Sequence, residues 1–192
     1  MTISHKKIEH SELIKEVSGL VHAITGIQLG ERQYHMVESR TKKRIIQLGL
    51  KNEEEYYHYL QLNKNAEIKA LVSLLTTHHT AFFRELKHFE FLENTGLPTL
   101  ISLKRKKNDK TIKIWSTACS RGQEVYSLSM FMLHYLRTNA PDFTYEILGT
   151  DVDPESIEIA KNAVYLKKDI EEIPLHFLLD HWAKGTEEIK DY

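Results

Sequence analysis

The stretch Thr111–Asp153, TIKIWSTACSRGQEVYSLSMFMLHYLRTNAPDFTYEILGTDVD, decides how this chain folds. Thr111–Ser116 alternates as a half-buried strand does. A turn containing Gly122 follows, then an amphipathic run from about Gln123 to Arg137. Pro141–Asp142 breaks the chain, and Tyr145–Asp151 reads as a second strand. Asp153 is placed to cap the next helix, with Pro154 in its first turn. Strand, helix, strand, helix in that order calls for a parallel sheet, the opening of a doubly wound α/β domain. Only two strands are convincing, and such a sheet with one crossover leaves much apolar surface uncovered. The helix-like segment Ile170–Tyr192, with Leu175, Phe177, Leu178 and Trp182, does not replace further strands. The expectation is therefore a sheet domain that stops short at Tyr192.

Upstream of this unit the chain reads as helical. Leu13, Ile14, Val17, Leu20, Val21 and Ile24 form a helical stripe in Ser11–Thr25, which Gly26 can end in a left-handed turn. A second helix is expected from Glu31 to Leu48, stopping at Gly49. Asn52, followed three residues later by Glu55, resembles a capping box and starts a third helix through Leu62, with Tyr56, Tyr59 and Leu60 inward. A fourth follows Asn65, burying Ile68, Leu71, Val72 and Leu75. Gly96 and Pro98 punctuate a further short helix holding Phe89 and Leu92, and Lys104–Lys110 reads as a solvated loop. The fold class is α/β with an all-α N-terminal domain. Its expected divisions are 1–97, helical with its connection, and 98–192, the first half of a Rossmann-like domain.

Composition narrows the function classes. An apolar share of 41% in 192 residues suits a globular core. A net charge of −1 gives no overall bias toward nucleic acid or membrane. The single cysteine, Cys119, excludes an internal disulfide and fits a reducing compartment. Met1–His10 is polar, and no run approaches the ~20 apolar residues of a membrane span, so the expected setting is the cytoplasm. Eleven histidines include the adjacent His78–His79, yet no HExxH or paired-cysteine spacing occurs, and no metal is expected.

Three segments carry candidate chemistry. The first strand runs into Trp115–Ser127, where small residues, a glycine and a helix start let a ligand approach the backbone closely, although the full GxGxxG spacing is absent. An ordinary strand–helix turn accounts for the same residues, and Glu124 suits the helix dipole without any ligand. The second strand ends at Asp151, whose carboxylate could accept bonds from both ribose hydroxyls of a nucleoside cofactor or simply be solvated. The third segment is Thr76–Leu86, TTHHTAFFREL. Phe82 and Phe83 fit a core there, and Arg84 suits either a structural ion pair or a grip on a carboxylate.

Taken in order, TTHHTAFFRE, WSTACSRGQEVYSL and GTDVDPESIEIAKNAVY strongly resemble the CheR-type chemotaxis-receptor methyltransferases, and GIQLGERQYHMVESRTKKRIIQLGL resembles that family's N-terminal domain. The resemblance runs from about Leu13 onward. It implies S-adenosylmethionine as cofactor, S-adenosylhomocysteine as product, and methyl ester formation on glutamates of a methyl-accepting chemotaxis receptor. It also implies that Thr80 and Arg84 approach the methionine end, Arg84 nearest its carboxylate, that Glu124 contacts the cofactor and that Asp151 binds the ribose. His78 stands where the family usually has asparagine, and Gln123 replaces a common glutamate. No catalytic acid or base is assigned, because a glutamate nucleophile is already ionised. On the second helix Arg32, Arg40 and Lys43, with Arg44 at the margin, form a basic flank suited to an acidic receptor bundle. Nucleic acid is not expected, since aromatic platforms are lacking. The alternative is a non-catalytic receptor-binding module of the same family.

Overall fold

The computed structural model describes residues 10–171, 173–183 and 185. Its chain divides into two compact units. One holds the chain up to Thr77 together with Val152–Pro154, and the other holds His78–Asp151 and the chain from Glu155 onward.

The first unit is built on α1 (His10–Thr25), α2 (Tyr34–Gln47) and α3 (Glu53–Leu75), with a 3-10 turn at Glu31–Gln33 before α2. Leu13, Val17 and Val21 of α1 pack with Val37 and Ile45 of α2 and with Tyr56, Leu60 and Leu71 of α3. Gly26 (φ 74°) and Gly49 (φ 69°) take the left-handed turns expected of them. After α2 the N–H groups of Gly49 and Leu50 donate to the carbonyls of Ile46 and Ile45, the paired bonds of a Schellman stop. Asn52 caps α3 by accepting from the Glu55 N–H at 2.9 Å. Glu55 reaches back one residue further than a capping box requires, to the Lys51 N–H at 2.8 Å.

Two helices were expected where α3 is a single element. Only Asn63 (φ −118°, ψ 23°) departs from helical geometry, and its side chain donates to the Tyr59 carbonyl at 3.0 Å. That bond supplies a donor to a carbonyl at the kink, so the polar residues around Asn63 and Asn65 bend the helix without stopping it.

The segment 78–97, expected with the helical domain, packs instead into the second unit. Phe82, Phe83 and Leu97 share a buried cluster with Ile112, Met130 and Phe131. Both phenylalanines are core residues: Phe82 meets Tyr165 and Trp182 edge-on, and Phe83 stacks on Phe177 at 4.8 Å. Helical structure continues through α4 (Leu86–Phe91), a π turn at Leu92–Gly96 and α5 (Leu97–Lys106). The expected loop at Lys104–Lys110 therefore begins three residues late. Lys104, Arg105 and Lys106 lie in the last turn of α5, where cations complement the helix dipole.

β1 (Thr111–Thr117) and β2 (Thr144–Thr150) pair in parallel, Ile112 opposite Tyr145 and Thr117 opposite Thr150, with α6 (Gln123–Asn139) as the crossover. Ile112 and Ser116 point inward, while Trp115 and its partner Leu148 stay exposed on the other face. α7 (Pro154–Asn162), α8 (Lys167–Ile170) and α9 (Leu175–His181) follow. Asp153, expected as a cap, directly precedes α7 and is buried. Of the helix-like tail, Phe177 is buried and Leu175 is exposed, and residues 186–192 lie outside the described residues. No helix among the described residues is long and apolar enough to cross a membrane.

Candidate functional site

The site is assembled where β1 and β2 end, within the second unit. Between β1 and α6 the backbone turns through three left-handed residues, Ala118 (φ 53°), Ser120 (φ 49°) and Gly122 (φ 91°). Two of the three carry a Cβ and so sit in a sparsely populated conformation, which persists only if neighbouring bonds hold it. They do so here. The Cys119 N–H donates to the Thr150 carbonyl at 2.9 Å, and the Ser120 N–H donates to Oδ2 of Asp151 at 2.8 Å. Trp115 Nε1 also donates to Oγ1 of Thr150 at 3.0 Å. The tips of both strands and the turn between them are thus tied into one rim.

Glu124, in the first turn of α6, is exposed and accepts from the Ser116 hydroxyl at 2.7 Å. Asp151 and Glu124 each hold the turn from one side, one through backbone and one through side chain. The geometry brings together these two of the expected cofactor residues. Cys119 sits between them, buried, and burial followed by the nearby Asp151 charge pushes its thiol up.

His78 and Thr80 meet the same turn from another direction. Both line a cavity of about 320 Å³ with Arg121 and Gln123. His78 Nδ1 lies 3.1 Å from the Ser156 hydroxyl on α7. The segment is locked to α6 through Ser127, which is fully buried: its hydroxyl accepts from the Phe83 N–H at 2.8 Å and donates to the Gln123 carbonyl at 2.7 Å. Arg84, flanked by the left-handed Phe83 and Glu85, is exposed and donates to the His79 carbonyl at 2.9 Å. It does not line the cavity that His78 and Thr80 share.

Gly122 has a different reason from the one its position suggested. A Cβ there would lie 2.9 Å from both the Ala160 Cβ and the Tyr165 hydroxyl, so the glycine serves packing as well as its positive φ. Tyr165 itself donates to the Arg121 carbonyl at 2.5 Å. Sequence reasoning missed this tyrosine, and it missed Ser116, Ser120 and Ser127, since serine near a turn carries no signal of its bonding partner. Two polar atoms of the turn, Ser120 Oγ and Gln123 Oε1, are buried and lack a hydrogen-bond partner. Polar atoms left in that state beside a carboxylate at the second strand's tip suit a ligand rich in donors and acceptors, such as a nucleoside. Among the described residues no group of three His, Cys, Asp or Glu is placed to hold a metal ion.

In the first unit the expected basic flank is narrower than its four residues. Arg32 and Lys43 are exposed. Arg40 instead donates to the carbonyls of Leu74 and Thr76 at 2.7 and 2.8 Å, closing the end of α3. Arg44 makes two 2.8 Å bonds to the buried carboxylate of Glu67, which also accepts from Tyr56 at 3.0 Å. Spacing alone puts these guanidiniums on the solvent flank, but their length lets them reach the neighbouring helix.

Two family models match the chain. Residues 12–76 match the CheR methyltransferase all-alpha domain, and residues 78–191 match the CheR methyltransferase SAM binding domain. The matched segments meet where the structure divides the chain. Among curated proteins, a chemotaxis protein methyltransferase of Borreliella burgdorferi is 33% identical over 94% of this chain and 63% of its own length. A probable chemotaxis protein methyltransferase of Rhizobium etli is 37% identical over 80% of this chain and 57% of its own. The Escherichia coli chemotaxis protein methyltransferase is 31% identical over 90% of this chain and 57% of its own. The chain thus spans about three fifths of the length of these relatives. With both domain models matched in order, it belongs to the CheR methyltransferase family.

Proposed function

We propose that the rim at the β1 and β2 tips binds S-adenosylmethionine, for methyl transfer in the cytoplasm to glutamate side chains of a methyl-accepting chemotaxis receptor. The observation that carries this reading is the 2.8 Å bond from the Ser120 N–H to Asp151, which fixes a carboxylate beside a tight turn at the sheet's end. The donor supplies a methyl group activated by its sulfonium; the accepting glutamate carboxylate is already ionised at neutral pH and needs no strong base. The protein's contribution is then alignment, which in model systems lowers barriers by roughly 7–11 kcal/mol.

Each residue has a positional task in this scheme. Asp151 accepts from the ribose hydroxyls while retaining its bond to Ser120. Glu124 holds the turn through Ser116 and faces the donor from the start of α6. His78 and Thr80 approach from their cavity wall, His78 with its ring oriented by Ser156. Arg84 meets the donor carboxylate with the N–H groups that its single bond to the His79 carbonyl leaves over. Of the expected basic flank on the helical unit, Arg32 and Lys43 are exposed and face an acidic receptor surface.

Calorimetric titration with S-adenosylhomocysteine tests the reading. Asp151→Ala is expected to weaken binding by about 1.5–3 kcal/mol, the value of a bond to a charged group. An unchanged affinity removes Asp151 from the site. Receptor capture by a chain that binds no nucleoside would favour instead the module without turnover.

A further inference from the structure

Away from the strand tips, two imidazoles meet on the surface of the second unit. His134 on α6 and His176 on α9 stand with ring centroids 5.3 Å apart and planes inclined by 52°. Both residues are exposed, and the methyl-donor reading uses neither. Each ring also contacts that of the buried Phe177, at 5.7 Å from His134 and 4.1 Å from His176. Phe177 in turn stacks on Phe83 at 4.8 Å, so α9 is anchored in the core at the residue that follows His176. The backbones carrying the two rings are thus fixed before a ligand arrives, which lowers the cost of binding one.

The spacing selects the ligand. A zinc-bound imidazole nitrogen lies about 2.0–2.1 Å from the metal, which puts the ring centre about 3.2 Å from it. Two such rings at a tetrahedral angle stand about 5.2 Å apart, and at the right angle of a tetragonal or octahedral ion about 4.5 Å. The observed 5.3 Å matches the tetrahedral case. Ordinary ring packing covers the same distance, and residue chemistry separates the two. Ring packing is rewarded by burial, whereas these residues face solvent, and a neutral imidazole holds a lone pair on one nitrogen. The broad second torsion of histidine lets both nitrogens turn toward one point. Among the described residues no third His, Cys, Asp or Glu joins the pair, so water completes the shell, as it does in open zinc sites.

We propose that His134 and His176 form a two-histidine site for a zinc ion, which clips α9 to α6. Its role is structural. The ion binds the two rings where folding brings them together, and so stabilises the second unit by mass action. The site shares no residue with the strand tips and stands whether or not a methyl donor binds there.

Zinc chloride titrated into the untagged 192-residue chain tests this, read by long-range 1H–15N NMR of the imidazole nitrogens. Of the eleven histidines, two should respond together, and they should be the two whose signals His134→Gln and His176→Gln delete. Each substitution should weaken zinc binding at the surviving ring at least tenfold, since even a group that only supports a metal ligand is worth about 10–100-fold. Both positions are exposed and glutamine is a good helix former, so the variants should fold. Zinc should also raise the urea midpoint of the parent and leave that of the double variant unchanged. An undiminished response at one ring after loss of the other overturns the shared site. So does an equal rise of the urea midpoint in the double variant, or a titration in which neither histidine responds.

Discussion

Substituting Glu67 tests whether Arg44 is an internal strut or a surface cation. Glu67 is 1% exposed and accepts three bonds: two from Arg44 at 2.8 Å, and one from Tyr56, itself fully buried, at 3.0 Å. Removing one partner of a buried pair typically costs about 3–5 kcal/mol, because the other charge is left unpaired. Arg44 is 23% exposed and can recover some hydration, so Glu67→Ala should fall near the lower end, about 3 kcal/mol. Arg44→Met should cost more, about 4–5 kcal/mol, since it strands the deeper carboxylate. In urea denaturation followed by far-UV circular dichroism, the two losses should be strongly non-additive, with a coupling of at least about 1.5 kcal/mol. Replacing both together by apolar residues of similar size should restore much of the loss. If each single variant stays within about 0.5 kcal/mol of the parent, the cluster is not a structural pair. Arg44 would then be free to serve a partner surface.

Other outcomes follow from the same packing. Gly122→Ala should destabilise by at least about 2 kcal/mol, combining a left-handed backbone with Cβ contacts at 2.9 Å, and a loss under about 0.5 kcal/mol in urea would contradict that geometry. Burial raises the phenols of Tyr56 and Tyr165, with the Glu67 charge adding to the first. Their folded forms therefore favour the proton, so their contribution is complete below the ordinary tyrosine value near 10 and falls away as pH climbs above it. Ultraviolet titration should show exposed tyrosines ionising first and these two only as the protein unfolds. Cys119, buried with a raised thiol, should resist maleimide at neutral pH until denaturant is added; rapid labelling of the native protein would refute its burial. Ser127→Ala removes the acceptor of the Phe83 N–H and should destabilise the second unit by about 1–3 kcal/mol, measured in the same urea assay.

Much of the fold was legible because its signals are local. Gly26 and Gly49 mark helix ends through a backbone conformation that glycine adopts freely, and Asn52 marks a start through a bond three residues away. The two strands and their crossover followed from a change of apolar period at Thr111 and from Pro141–Asp142. The kink at Asn63 was misread as a stop because capping residues and kinking residues are the same polar types, and only packing along both halves of α3 distinguishes them. Likewise Lys104–Lys106 carried the composition of a loop but the position of a helix end.

By itself the sequence determined the helical character of the first part, the strand–helix–strand–helix order after it, the parallel pairing implied by that order, and the family to which three spaced motifs point. Each rests on interactions within a few residues or on residue identity. Tertiary structure alone decided that segment 78–97 joins the second core, that Arg40 and Arg44 turn inward, and that Gly122 is packed against Tyr165. It also decided that His134 and His176 stand side by side. These depend on groups that lie tens of residues apart along the chain, and a side chain's partner is fixed by which surfaces meet, a quantity that local pattern does not encode.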